Sequence, residues 1–158
     1  MEHDLRARLH EHQAEVLDIV GHTEAMLNDT HDVPGLSRFR WVLVRAMGRY
    51  QLFKHHEVLD PSIARASPVD AQRLTLMKEA CLALGAAFHE HVRKWSGSDV
   101  EAEWRLYRPA ALAMMKRIRV HIAHERIEMD ALLAGRAEPV MPSPATARPR
   151  QDRPTPAG

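Results

Sequence analysis

The chain has 158 residues, enough for one domain with a core of its own. Apolar residues make up 45% and charged residues 27%, and 22 Lys and Arg against 21 Asp and Glu leave a net charge of +1. That balance excludes the one-signed field that holds nucleic acid or an anionic membrane, and no apolar run nears the roughly 20 residues that cross a bilayer.

The helix formers Ala, Leu, Arg, Glu and Met dominate, and four long helices are predicted. The first covers about 2–28 and ends in the turn-rich stretch Asn28-Asp29-Thr30-His31-Asp32-Val33-Pro34-Gly35. The second starts near Ser37 and reaches about Leu59, where Pro61 opposes continuation. The third opens with Ser67 as N-cap, Pro68 in the first turn and Asp70 at the positive end of the dipole, and runs to about Trp95. The fourth opens at Ser98-Asp99-Val100-Glu101, a capping-box pattern, and continues to about Ala134, with a kink or short break expected at Pro109.

Residues 135–158 differ in composition. They hold six of the ten prolines and four arginines with little apolar bulk, so a disordered tail is expected, with partner docking as its alternative role. Short loops between long amphipathic helices give an all-α, up-down-up-down four-helix bundle over residues 1–134. The N-terminus, Met1-Glu2-His3-Asp4-Leu5-Arg6, lacks the apolar stretch of a signal peptide, which makes the cytosol the expected compartment.

The unusual feature is histidine, with eleven copies against three Phe and two Tyr. On the first helix His12 falls inside the stripe Leu5, Leu9, Val16, Ile19, Val20 and Leu27. On the third, His91 falls within Leu74, Met77, Cys81, Leu84, Phe88, Val92 and Trp95. On the fourth, His121 and Glu125 share the stripe of Trp104, Tyr107, Ala111, Met114, Met115, Ile118, Ile122, Met129 and Leu132. His121 and Glu125 are one turn apart, so both side chains reach one ion, and imidazole with carboxylate suits Fe, Mn or Zn. Three converging histidines and a carboxylate are costly to bury without a compensating partner.

The second helix departs from that pattern. Its stripe, Leu36, Phe39, Leu43, Ala46, Met47, Tyr50 and Phe53, leads on to Lys54 and Glu57. A protonated lysine repels a metal, whereas Glu57, about one turn further on, could serve as a ligand. Trp41, Val44, Leu52 and Leu59 make the back of this helix apolar as well.

These residues resemble the hemerythrin-like family of histidine–histidine–glutamate cation-binding bundles over about residues 5–134. His12 matches the first-helix ligand, His91 the third-helix ligand, and His121-x-x-x-Glu125 the fourth-helix pair. Val58-Leu59-Asp60-Pro61-Ser62-Ile63 near the end of the second helix parallels Glu128-Met129-Asp130-Ala131-Leu132-Leu133 in the fourth, the two places where members of that family often carry a Leu-aromatic-Pro ending. The resemblance implies non-haem iron, mono- or di-iron, with an open position for a diatomic gas such as oxygen or nitric oxide. The family's second-helix His-x-x-x-Glu is replaced by Tyr50 and Lys54, or by Gln51 and His55 when the match is anchored on Pro61. Ala87 stands where a second third-helix histidine would be.

Two outcomes follow. One is a reduced or atypical metal site built from His12, Glu57, His91, His121 and Glu125. The other is a metal-free regulatory or interaction module in which Lys54 pairs with Glu125. No general base or substrate pocket is evident, so no turnover is expected, and a homo-oligomer is compatible with either outcome. Cys81, the only cysteine, excludes an internal disulfide and reads as a small buried hydrophobe.

Overall fold

The apolar stripes become five α-helices in a computed structural model that describes residues 2–135. The proline-rich stretch from 136 onward, and the expectation of disorder attached to it, lie outside the described residues. Helix α1 spans Glu2–Asp29, α2 Val33–Phe53, α3 Asp60–Arg65, α4 Pro68–Ser96 and α5 Trp104–Gly135, and there is no strand among the described residues. A π-helical turn, Lys54–Leu59, joins α2 to α3, so these segments make one helical run and the whole is a helical bundle of four rods.

Local chemistry explains the ends. Asp32 caps α2, its side chain accepting from the Gly35 N–H at 2.9 Å, and Pro34 occupies the first turn, where its missing donor costs nothing. The helix therefore starts at Val33, earlier than the predicted Ser37. Ser67 caps α4 as expected, accepting from the Asp70 N–H at 3.2 Å. Asp99 accepts from the Ala102 N–H at 3.1 Å, but residues 100–103 form turns and α5 begins only at Trp104.

The two internal prolines behave differently from expectation. Pro61 does not stop the second rod, which stays helical to Arg65. The widened turn lies directly before it, with the Asp60 N–H donating to the His55 carbonyl five residues back. This wider register gives room to a ring that would crowd the preceding turn of an α-helix. Pro109 lies inside α5, and the helix runs through it uninterrupted.

Each rod buries one stripe. The α4 stripe of Leu74, Met77, Cys81, Leu84, Phe88, Val92 and Trp95 is buried as read from the sequence. Leu9, Val16, Val20, Leu43, Tyr50, Leu59, Leu74, Ile118, Ile122 and Met129 form the main core. A second cluster of Leu27, Leu36, Trp95, Val100, Tyr107 and Ala111 closes one end. At that end the α1 C-terminus meets the start of α5, where Arg108 Nε donates to the Leu27 carbonyl at 2.8 Å. At the other end Arg6 of α1 pairs with Asp130 of α5 at 3.0 Å. No described helix is long and apolar enough to cross a membrane.

Candidate functional site

Polar side chains enter the main core at one level of the bundle. The π-helical turn carries Lys54 inward, and its side chain is 1% exposed. Glu125 reaches the same point from α5 and is equally buried. The Lys54 Nζ lies 3.1 Å from Glu125 Oε1 and donates to Oε2 at 3.2 Å. The Tyr50 hydroxyl, one turn before Lys54 on α2, donates to Oε2 at 2.5 Å. Lys54 Nζ also stands 4.1 Å from the centroid of the Tyr50 ring, a cation–π contact inside the core. From α1, Gln13 Nε2 donates to the Tyr50 oxygen at 3.4 Å.

His121, one turn before Glu125, places Nε2 3.5 Å from Oε2. His121 Nε2 and Glu125 Oε1 have no directed hydrogen bond, so the Glu125 Oε1–Lys54 contact is one of charge rather than of aligned donor and acceptor. Behind this group, His55 Nε2 lies 3.3 Å from the Cys81 sulfur, which is buried. Of the two second-helix residues that could face Glu125, Lys54 takes the position and His55 turns to Cys81.

The electrostatics follow from this geometry. Burial alone raises the Glu125 carboxyl, but His121, the Lys54 charge and the Tyr50 hydroxyl outweigh it and hold the group below the ordinary carboxylate range. Burial, the Glu125 charge and the hydrogen bond to it drive the Tyr50 hydroxyl upward, so it keeps its proton. Burial lowers His121, and Cys81 and Glu125 overcome this and push it up to about 9. The result is an ionised carboxylate whose lone pairs are engaged by an ammonium and a phenol.

The structure brings together two of the five residues singled out as metal ligands. His121 and Glu125 are adjacent, as their spacing requires. His12 is half-buried, its ring 4.9 Å from that of Phe53 and 6.3 Å from that of Tyr50. Glu57 is exposed and pairs with Arg8 at 2.8 Å. His91 lies toward the other end, its ring 6.5 Å from that of Tyr107. Burial, Arg40 and Lys94 lower His91 to about 4. Among the described residues, no three His, Cys, Asp or Glu side chains form a group that could hold a metal ion. With an ammonium already seated on the central carboxylate, the donor set does not fit a di-iron centre.

Gln13 and Arg40 are among the buried polar residues that escaped the sequence reading, with Thr23 and Ser62. Gln13 is fully buried, and Arg40 is 7% exposed. Both sit at stripe spacing: Gln13 follows Leu9 by four residues and precedes Val16 by three, and Arg40 lies four beyond Leu36 and three before Leu43. That periodicity was the signal that could have found them.

Between α2 and α4 runs an open groove of about 480 Å³, lined by Trp41, Val44, Met47, Gly48, Phe88 and Val92 among others. Comparison of the chain with protein-family models, with curated proteins and with solved structures finds no match.

Proposed function

We propose that this chain is a metal-independent regulatory or protein-interaction module on a hemerythrin-like, up-down-up-down four-helix bundle. The observation that carries the reading is the Lys54–Glu125 pair. An ammonium of fixed length occupies the place beside the fourth-helix carboxylate where the resemblance implies a cation. A tethered charge of this kind compensates Glu125 permanently and needs no metal. The end-to-end contacts support the topology. The start of α1 meets the end of α5 through Arg6 and Asp130, and the start of α2 meets the end of α4 through Arg40 and Ser96.

The surface offered to a partner is the α2–α4 groove. Helix α2 carries Arg38, Arg40, Arg45 and Arg49 and no acidic residue. Arg38 and Arg45 are exposed, and Trp41 is 47% exposed at the groove. An acidic amphipathic helix of another protein complements this surface in both charge and polarity. The chain's own residues 136–158 do not, because four arginines outnumber Glu138 and Asp152 there.

The test has two arms. Untagged protein is loaded with ferrous, manganous or zinc salt, desalted, and analysed for metal and for its visible spectrum. Substoichiometric metal is expected throughout; stoichiometric iron with oxo-iron absorption would overturn the reading. In the second arm a labelled synthetic helix with leucines at i, i+4 and i+7 and flanking glutamates is titrated by fluorescence anisotropy. It should bind more tightly than its lysine-flanked counterpart, and equal affinities would remove the assigned surface.

A further inference from the structure

Two helix interiors carry glycine at the same groove. Gly48 lies within α2 and Gly85 within α4, and both line the cleft between those helices. Glycine weakens a helix interior more than any residue except proline. The usual reasons for keeping one do not hold here. Neither glycine has a positive φ, so the backbone does not require it. Packing within the chain does not require Gly48 either, since a Cβ there would meet nothing within 4 Å. The nearest neighbours of a Cβ on Gly85 are atoms of the Gln51 side chain, and Gln51 lines the same groove.

What the missing side chains leave is room. Gly48 is exposed, and the groove it lines has a volume of about 480 Å³. Trp41, seven residues before Gly48 and so about 10 Å away along α2, is 47% exposed at that groove. Leu52, four residues after Gly48, is 63% exposed, and Leu82, three before Gly85, is 57% exposed. At those spacings both leucines extend the apolar surface along their helices past the glycines. The charge around this surface has one sign. Arg93 lines the groove and no acidic side chain does, and Arg45, three residues before Gly48, is exposed.

We propose that Gly48 and Gly85 form a socket for one large apolar side chain of a docked acidic helix. This rests on the acidic amphipathic helix proposed as the occupant of the groove. Its anchor, a leucine or a larger residue, enters where α2 carries no side chain. A second apolar residue about two turns along the partner meets Trp41, and the flanking carboxylates meet Arg45 and Arg93. Seated anchors of this kind carry most of the binding energy of an interface, so Gly48 decides the affinity although it contributes no side chain.

The experiment titrates the glutamate-flanked leucine helix into the full chain and into its Gly48→Ala and Gly48→Leu variants. Fluorescence anisotropy gives the affinities and circular dichroism gives Tm. Gly48→Leu should weaken binding by about tenfold or more, and Gly48→Ala by less. Neither should lower Tm, because each new side chain starts in open space and replaces glycine with a better helix former. Both variants keep the arginines, so both should still prefer glutamate flanks to lysine flanks. Unchanged or tighter binding by Gly48→Leu, with that preference intact, would overturn the socket and leave the groove reading standing. Equal affinities of the native chain for the two helices would remove the groove reading and the socket together. Heteronuclear NMR of the native chain decides the matter if a variant folds poorly. The Gly48 and Gly85 amide signals should shift as the helix is added, and their silence while Trp41 and Val44 respond would overturn the proposal.

Discussion

Lys54 Nζ sits within 3.2 Å of both oxygens of Glu125, and each side chain is 1% exposed. Their attraction opposes a desolvation cost of several kcal/mol for each ion. Such a pair specifies the packing of its partners more than it stabilises them. Lys54→Met should lower unfolding free energy by about 3–5 kcal/mol, because Glu125 is then buried without its counter-ion. Adding Glu125→Leu should recover most of that loss, since a buried pair replaced by apolar groups is often neutral. Chemical denaturation of the two single variants and the double variant checks this. A loss in the double variant equal to the sum of the two single losses would show that the pair is not coupled.

The same geometry sets a dependence on alkaline pH. His121 is pushed up to about 9 in the folded chain, above its ordinary 6.5. The folded state therefore binds this proton more tightly than the unfolded state. The resulting stability is fully present below about 6.5 and is lost as pH rises toward 9. Denaturant midpoints measured from pH 6 to pH 10 should fall across this window, and His121→Asn should flatten the fall.

Much of the fold was legible because periodicity reports burial. The α4 stripe could be read residue by residue, and its cap, Ser67, followed from Ser-Pro-x-Asp alone. The ends of α2 and α5 were harder. Pro34 and Pro61 have the same local preferences, yet one opens a helix and the other lies within a helical run, because the π-helical turn before Pro61 makes room for the ring. The site was legible only in part. Glu125 and His121 could be placed from an i,i+4 spacing on one rod. His12 and His91 shared the apolar arcs of their helices, but an arc spans more than 100° and both rings lie at its edge, half-buried. Facing Glu125, the sequence left Lys54 and His55 as alternatives, and only the added residue in the turn decides which of them points inward.

Acid should act through a different part of the molecule. His91 is lowered to about 4, below its ordinary value, by burial first and then by Arg40 and Lys94. The unfolded state therefore takes up a proton near pH 6.5 that the folded state accepts only near pH 4. Stability should fall as pH drops through this window, with the full loss reached below about 4. Glu125 pulls the same way, since its folded carboxyl is held below the ordinary range and its contribution disappears as pH falls through that lowered value. His91→Phe should remove the first component and leave the second, giving an acid transition displaced to lower pH when followed by circular dichroism.

Two glycines separate a rigid neighbour from a yielding one. A Cβ on Gly35 would lie 2.3 Å from an Asp32 carboxylate oxygen and 2.7 Å from the end of Met26. Asp32 is held there as the cap of α2, so it cannot retreat without releasing the Gly35 N–H. Gly35→Ala should therefore cost about 1–2 kcal/mol, the usual value of a lost N-cap. A Cβ on Gly85 would meet the Gln51 side chain at 2.8 Å. That amide is the far end of a flexible chain beside the open α2–α4 groove, and it can swing away. Gly85→Ala also gains helix propensity within α4, about 1 kcal/mol over glycine. It should leave the unfolding midpoint unchanged or raise it. Urea denaturation of both variants compares them directly, and a larger loss for Gly85→Ala than for Gly35→Ala would contradict the assignment of Asp32 as the working cap.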